Sequence, residues 1–151
     1  MTVQFDLETV IGVSPAAAFD ASLDIDAHLA SMEASGEQAI GGVTSGTIGL
    51  GETVTWRAKH FGVTWKMTSK ITALEAPNRF VDEQVKGPFK VFRHEHVFTP
   101  HERGTLMSDH IVFAAPLGPL GRLAELLILQ KYLPKLILER NTFLRDELER
   151  S

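Results

Sequence analysis

The end of the chain limits its architecture most. From Leu117 to Arg150 (LGPLGRLAELLILQKYLPKLILERNTFLRDELER), Leu120, Leu123, Leu127, Leu133, Leu136, Ile137, Leu144 and Leu148 recur at three- and four-residue spacing. That period predicts a long amphipathic helix whose apolar side must be covered. Run straight, it would reach about 50 Å, against a radius of gyration of about 15 Å for a compact domain of this length. The helix is therefore expected to bend, or to break into two helices, and Pro134, which lacks the N–H an interior turn requires, is the predicted position. Its most apolar window, Leu123 to Leu138, holds Glu125, Lys131, Pro134 and Lys135 and falls short of the roughly 20 residues of a membrane span.

What precedes the helix is patterned as strands. Val3 to Val13 alternates and stops at Gly12. Ser14-Pro15 then supplies an N-cap and a first helical residue for one short helix, and Asp24 or Asp26 caps a second through about Met32. Glu33 to Gly51 is Gly-, Ser- and Thr-rich and is read as a long mobile loop, with an irregular strand near Ile40 or Ile48, that would form the mouth of a cavity. Strands follow over Glu52–Phe61, Val63–Leu74, Arg79–Val85, Phe89–Thr99 and Thr105–Ala114, joined by turns too short for parallel crossovers, so the sheet is predicted antiparallel. The fold class is α+β. It is a single domain over residues 1–151, with six or seven curved strands wrapped around the terminal helix and two short helices after the first strand.

Composition narrows the function. A net charge of −4 lacks the basic surface that phosphate backbones require, so no nucleic-acid partner is expected. Without cysteine, thiolate catalysis, disulfides and Cys-ligated metals are excluded. The N-terminus MTVQFDLETV lacks the basic and apolar regions of a signal peptide, and the cytoplasm is the expected compartment. No phosphate-binding loop, GxSxG or HExxH motif is present, so no cofactor is expected.

Alternation on the strand from Lys90 to Phe98 places Phe92, His94, His96 and Phe98 on one face and Arg93 and Glu95 on the other. The charged pair belongs in water, which turns both imidazoles inward, about 7 Å apart along the strand. If Phe98 pairs with Thr105, Asp109 stands opposite His94, on the face shared with Met107. Asp82 and Gln84 share a face with Phe80, His60 shares one with Trp56, and Trp65 and Met67 mark the inner face of their strand. Three readings compete for this cluster. The two histidines and a carboxylate match a small metal site, though His-x-His is a short and common pattern. A His–Asp pair can act as general acid or base. The preferred reading is that these groups satisfy one another in a mostly apolar pocket and orient a ligand. On the helix, Tyr132 either presents its hydroxyl to the pocket or covers the bend. Arg140 lies on the apolar stripe and is expected to snorkel to the domain edge, the alternative being to pair with an inward carboxylate or an acidic headgroup.

The order of elements, together with Trp56–Gly62 (WRAKHFG), Phe80–Phe89 (FVDEQVKGPF), His94–Phe98 (HEHVF) and Gly104–Asp109 (GTLMSD), resembles the START-related helix-grip superfamily (SRPBCC), nearest its bacterial ligand-binding and polyketide cyclase-like members. The resemblance covers nearly the whole chain. It implies a hydrophobic cavity between sheet and last helix but assigns no catalytic residue, because such a fold carries many chemistries. The leading expectation is binding of a small hydrophobic or aromatic molecule. The alternative is a cyclase, dehydratase or isomerase that moves protons with a histidine and a carboxylate. A monomer or homodimer is expected, the latter pairing through the helix around Leu126 and Leu129.

Overall fold

A computed structural model describes residues 2–151. Strand β1 (Val3–Ile11) is followed by helices α1 (Pro15–Ser22) and α2 (Ile25–Ser31), then β2 (Gln38–Gly42), β3 (Thr53–His60), β4 (Val63–Glu75), β5 (Arg79–Lys86), β6 (Val91–His101) and β7 (Gly104–Ala114). Helix α3 (Gly118–Ala124), a π-helical turn over Glu125–Leu129 and α4 (Gln130–Arg150) close the chain. All seven strands pair antiparallel in the order β1-β7-β6-β5-β4-β3-β2.

Local chemistry explains the boundaries. Ser14 accepts a hydrogen bond from the Ala17 amide and Asp24 accepts from those of Asp26 and Ala27, so both short helices start on side-chain caps. The β3–β4 hairpin turns on Phe61 and Gly62, both left-handed with φ of 55° and 73°. Such paired positive angles match the twist of the flanking strands. The segment read as a long loop is more ordered than expected: it contributes β2, and Ile48 is buried in the core with its amide bonded to the Leu23 carbonyl.

Two expectations about the backbone are corrected. The π turn precedes Pro134 instead of coinciding with it, and Pro134 stays inside α4. The α-helical acceptor it leaves free is the carbonyl of Gln130, an exposed residue that water can satisfy. The irregularity falls where buried Glu125 accepts the Ala115 amide at 2.7 Å, tying the helix to the end of β7. Strand pairing also continues past the predicted end of β6. It runs through Thr99, Pro100 and His101, with Phe98 opposite Met107 and His96 opposite Asp109. Pro100 is tolerated because β5 pairs with β6 only as far as Val97, so its missing N–H costs no bond on that side.

The apolar interior forms two clusters. One, under α1 and α2, contains Ile11, Phe19, Phe80, Phe98, Met107 and Leu144. The other contains Val3, Ile111, Phe113 and Leu133, with Phe92 and Ile137 against them. The helix is covered only in part. Leu133 and Leu144 are buried, but Leu120, Leu123 and Leu127 stay exposed, Leu127 by 67%. Among the described residues, no helix is long and apolar enough to cross a membrane.

Candidate ligand cavity and its polar layer

Between the two clusters runs one layer of polar side chains. On β6 His94 and His96 lie between Phe92 and Phe98, on β7 Asp109 lies between Ile111 and Met107, and on α4 Arg140 and Asn141 lie between Ile137 and Leu144. Strand and helix periods each contribute this layer at the same height, and all five side chains are buried.

The hydrogen bonds run diagonally. Asp82 stands opposite His94 in register, yet its Oδ2 accepts from His96 Nε2 at 2.7 Å. Asp109 stands opposite His96, yet its Oδ1 accepts from His94 Nε2 at 2.6 Å, so the expected His94–Asp109 partnership forms through a register different from the one predicted. Diagonal neighbours on one sheet face are within reach of long side chains. The imidazoles stack on each other, centroids 3.7 Å apart, and His96 also stacks on Phe80 at 4.0 Å. Asp109 Oδ2 accepts from Asn141 Nδ2 at 2.7 Å, and Arg140 Nη1 lies 3.8 Å from Asp109 Oδ1. Arg140 therefore does not snorkel to the edge; the inward carboxylate holds it.

Charge states follow from these contacts. Burial would raise the Asp109 carboxyl, but the hydrogen bond from His94 and the fields of both imidazoles and Arg140 outweigh it and hold it well below the usual range. Asp82 is displaced downward by the same balance, with His96 as its donor. His96 is held down to about 4 by burial and then by His94, against the pull of Asp82. Ionised carboxylates accept only, so each histidine donates from Nε2, and the neutral form of either ring leaves Nδ1 as an acceptor. Nδ1 of His96 is buried without a hydrogen-bond partner among the described residues, 3.6 Å from Asp109 Oδ1.

Beside this layer the sheet and terminal helix enclose a cavity of about 650 Å³, lined mainly by apolar side chains. Trp56, His60, Trp65, Met67, Asp82 and Phe92 line it from the sheet, His94 and His96 from its polar end, and Tyr132 and Arg140 from the helix. Three candidates do not line it. Met107 is packed into the core, and Asp109 lies behind the histidines. Gln84 is occupied by the backbone of Phe89, donating to its carbonyl at 2.7 Å and accepting its amide at 3.1 Å. Trp65 sits at the rim, 40% exposed, with its indole N–H on the His60 carbonyl. Exposed Leu120, Leu123 and Leu127 form the opposite rim.

Across the opening, His60 Nδ1 and the Tyr132 hydroxyl share a hydrogen bond of 2.6 Å, and Phe61 packs on Tyr132 with centroids 4.5 Å apart. Burial moves both groups toward neutrality, lowering His60 and raising Tyr132. Tyr132 thus joins the hairpin to the helix in addition to facing the cavity. Sequence reasoning missed Asn141, whose only signal was a polar residue four after Ile137 and three before Leu144. It also missed the wall pair of His28 and Glu37, bonded at 2.6 Å with His28 packed on Trp56.

Asp82, His94 and His96 bring potential metal-ligand atoms within 4.8 Å of one another. The arrangement fits a metal poorly. The imidazole planes lie 19° from parallel, so their in-plane lone pairs run side by side without converging, and each Nε2 is already bonded to a carboxylate.

No family model and no curated protein matches the chain by sequence. Solved structures do resemble it. Zhui aromatase/cyclase from Streptomyces sp. R1128 superposes with a TM-score of 0.80 at 11% identity, covering 99% of this chain and 95% of the other. TTHA0849 from Thermus thermophilus gives 0.71 at 15% identity over 95% and 97%. Major latex-like protein 151 from Panax ginseng gives 0.63 at 13% identity over 97% of both chains. At these identities the likeness establishes the fold alone: a helix-grip arrangement of one antiparallel sheet around a long terminal helix.

Proposed function

We propose that this protein binds one small lipophilic or aromatic molecule between its sheet and terminal helix. The carrying observation is the cavity itself: about 650 Å³ lies within the roughly 300–1,000 Å³ common to small-molecule sites, which pair apolar walls with a few polar groups. The polar layer at one end orients the ligand, and the exposed leucines beside Trp65 give an apolar entrance. Native mass spectrometry of the purified protein, before and after organic extraction, tests this together with titration of a hydrophobic fluorescent dye. One retained molecule or one saturable dye site per chain is expected; the absence of both would overturn the reading.

A second reading is supported by the His94–Asp109 pair. A carboxylate that holds imidazole Nε2–H leaves Nδ1 as a base, and His94 lines the cavity. One of the similar folds is named an aromatase/cyclase, and proton transfer on a bound ligand suits that class. Under this reading His94→Gln abolishes turnover while ligand affinity persists; under simple binding neither the parent nor the variant converts any ligand.

A further inference from the structure

The polar end of the cavity has more open acceptors than a buried site can leave unused. Asp82 spends Oδ2 on His96, whereas its Oδ1 has no hydrogen-bond partner among the described residues, and 23% of the side chain remains open where it lines the cavity. His94 spends Nε2 on Asp109, and its Nδ1 likewise has no hydrogen-bond partner among the described residues and is not sealed from the cavity. The one cation of the layer, Arg140, makes a single side-chain hydrogen bond, to Asn141 Oδ1 at 3.3 Å, and leans on Asp109. Two carboxylates therefore face one guanidinium. An incoming carboxylate would add a third negative charge in a place of low dielectric, and an ammonium would meet only two open acceptors while lying beside Arg140.

We propose that the ligand is a neutral, largely apolar molecule carrying a hydroxyl, which donates to Asp82 Oδ1 or His94 Nδ1 and whose oxygen can accept from Arg140. This rests on the binding reading above and names the ligand class for the same cavity. Free fatty acids and other apolar carboxylates are disfavoured by the same groups. A hydroxyl supplies the missing donor without charge, and its absence strands buried acceptors, which is the larger penalty.

Dye displacement at neutral pH by 1-naphthol, naphthalene and 1-naphthoate tests the idea on one skeleton. Binding of 1-naphthol at least ten-fold tighter than both others is expected. In Asp82→Ala, 1-naphthol should lose most of that advantage while naphthalene affinity is kept, which also reports that the variant is folded. If Asp82→Ala does not fold, the wild-type series alone decides. Naphthalene equal to 1-naphthol, or 1-naphthoate tighter, overturns the hydroxyl assignment and leaves the cavity reading standing. No displacement by any of the three overturns the reading on which it rests.

Discussion

Asn141 donates its side-chain amide to Asp109 Oδ2 over 2.7 Å, with both side chains fully buried and Thr9 Oγ1 3.4 Å from the same nitrogen. This bond links the terminal helix to the centre of the sheet at the level where the apolar core is interrupted. Asn141→Ala leaves a buried carboxylate oxygen short of a donor and is expected to cost about 1–3 kcal/mol in urea unfolding.

Asp109 also neutralises Arg140, and replacing it removes the countercharge while leaving the guanidinium in place. Asp109→Asn should therefore destabilise by about 3–5 kcal/mol. Asp109→Asn combined with Arg140→Met should recover part of that loss, as measured by chemical denaturation. No recovery in the pair would show that the two side chains are not coupled.

The buried neutral state of His96 gives stability a pH dependence with a definite sign. Its folded-state value of about 4 lies below the ordinary 6.5. As pH falls from 6.5 to 4 the unfolded chain takes up a proton that the folded one refuses, and stability drops by up to about 3 kcal/mol. His60, also displaced downward, adds to the same slope. Asp82 on β5 and Asp109 on β7, both displaced downward, act lower: their contribution is present above the ordinary carboxylate range and is lost beneath it. With Arg140 these are the charged groups around His96, and the titratable ring of His94 is stacked on it. Unfolding midpoints across this range should fall with pH in the parent and be flatter between 6.5 and 4 in His96→Asn.

Tyr132 joins the helix to the β3–β4 hairpin at the cavity rim through His60. Tyr132→Phe removes one hydrogen bond at a half-buried site and should cost about 1 kcal/mol. Faster dye entry and release in stopped-flow mixing, with little change in equilibrium affinity, is expected if this bond holds the rim closed.

Much of this was legible in the sequence because period and turn chemistry agree. Ser14-Pro15 and Asp24 start the helices they were expected to start, and alternation around His94 and His96 gave their inward direction. Register was less accessible, since Pro100 reads as a breaker unless it is known that β5 has already ended beside it. The helix irregularity was misplaced for a similar reason: Pro134 is visible in the chain, whereas the bond from Glu125 to Ala115 exists only once β7 has been laid down. Arg140 was expected at the edge because its partner comes from another element. Leu120, Leu123 and Leu127 carry the helical period of buried residues yet line an opening, a distinction periodicity does not make.

Binding requires that the space between sheet and helix accept an apolar molecule. Titration calorimetry of 1-naphthol at several temperatures, on the parent and on Leu136→Trp, whose larger side chain would occupy the cavity, tests this most directly. One site per chain with a negative heat-capacity change, lost in a Leu136→Trp protein that still unfolds cooperatively, is the predicted result. No saturable heat in the parent, or equal binding in the filled variant, would contradict it.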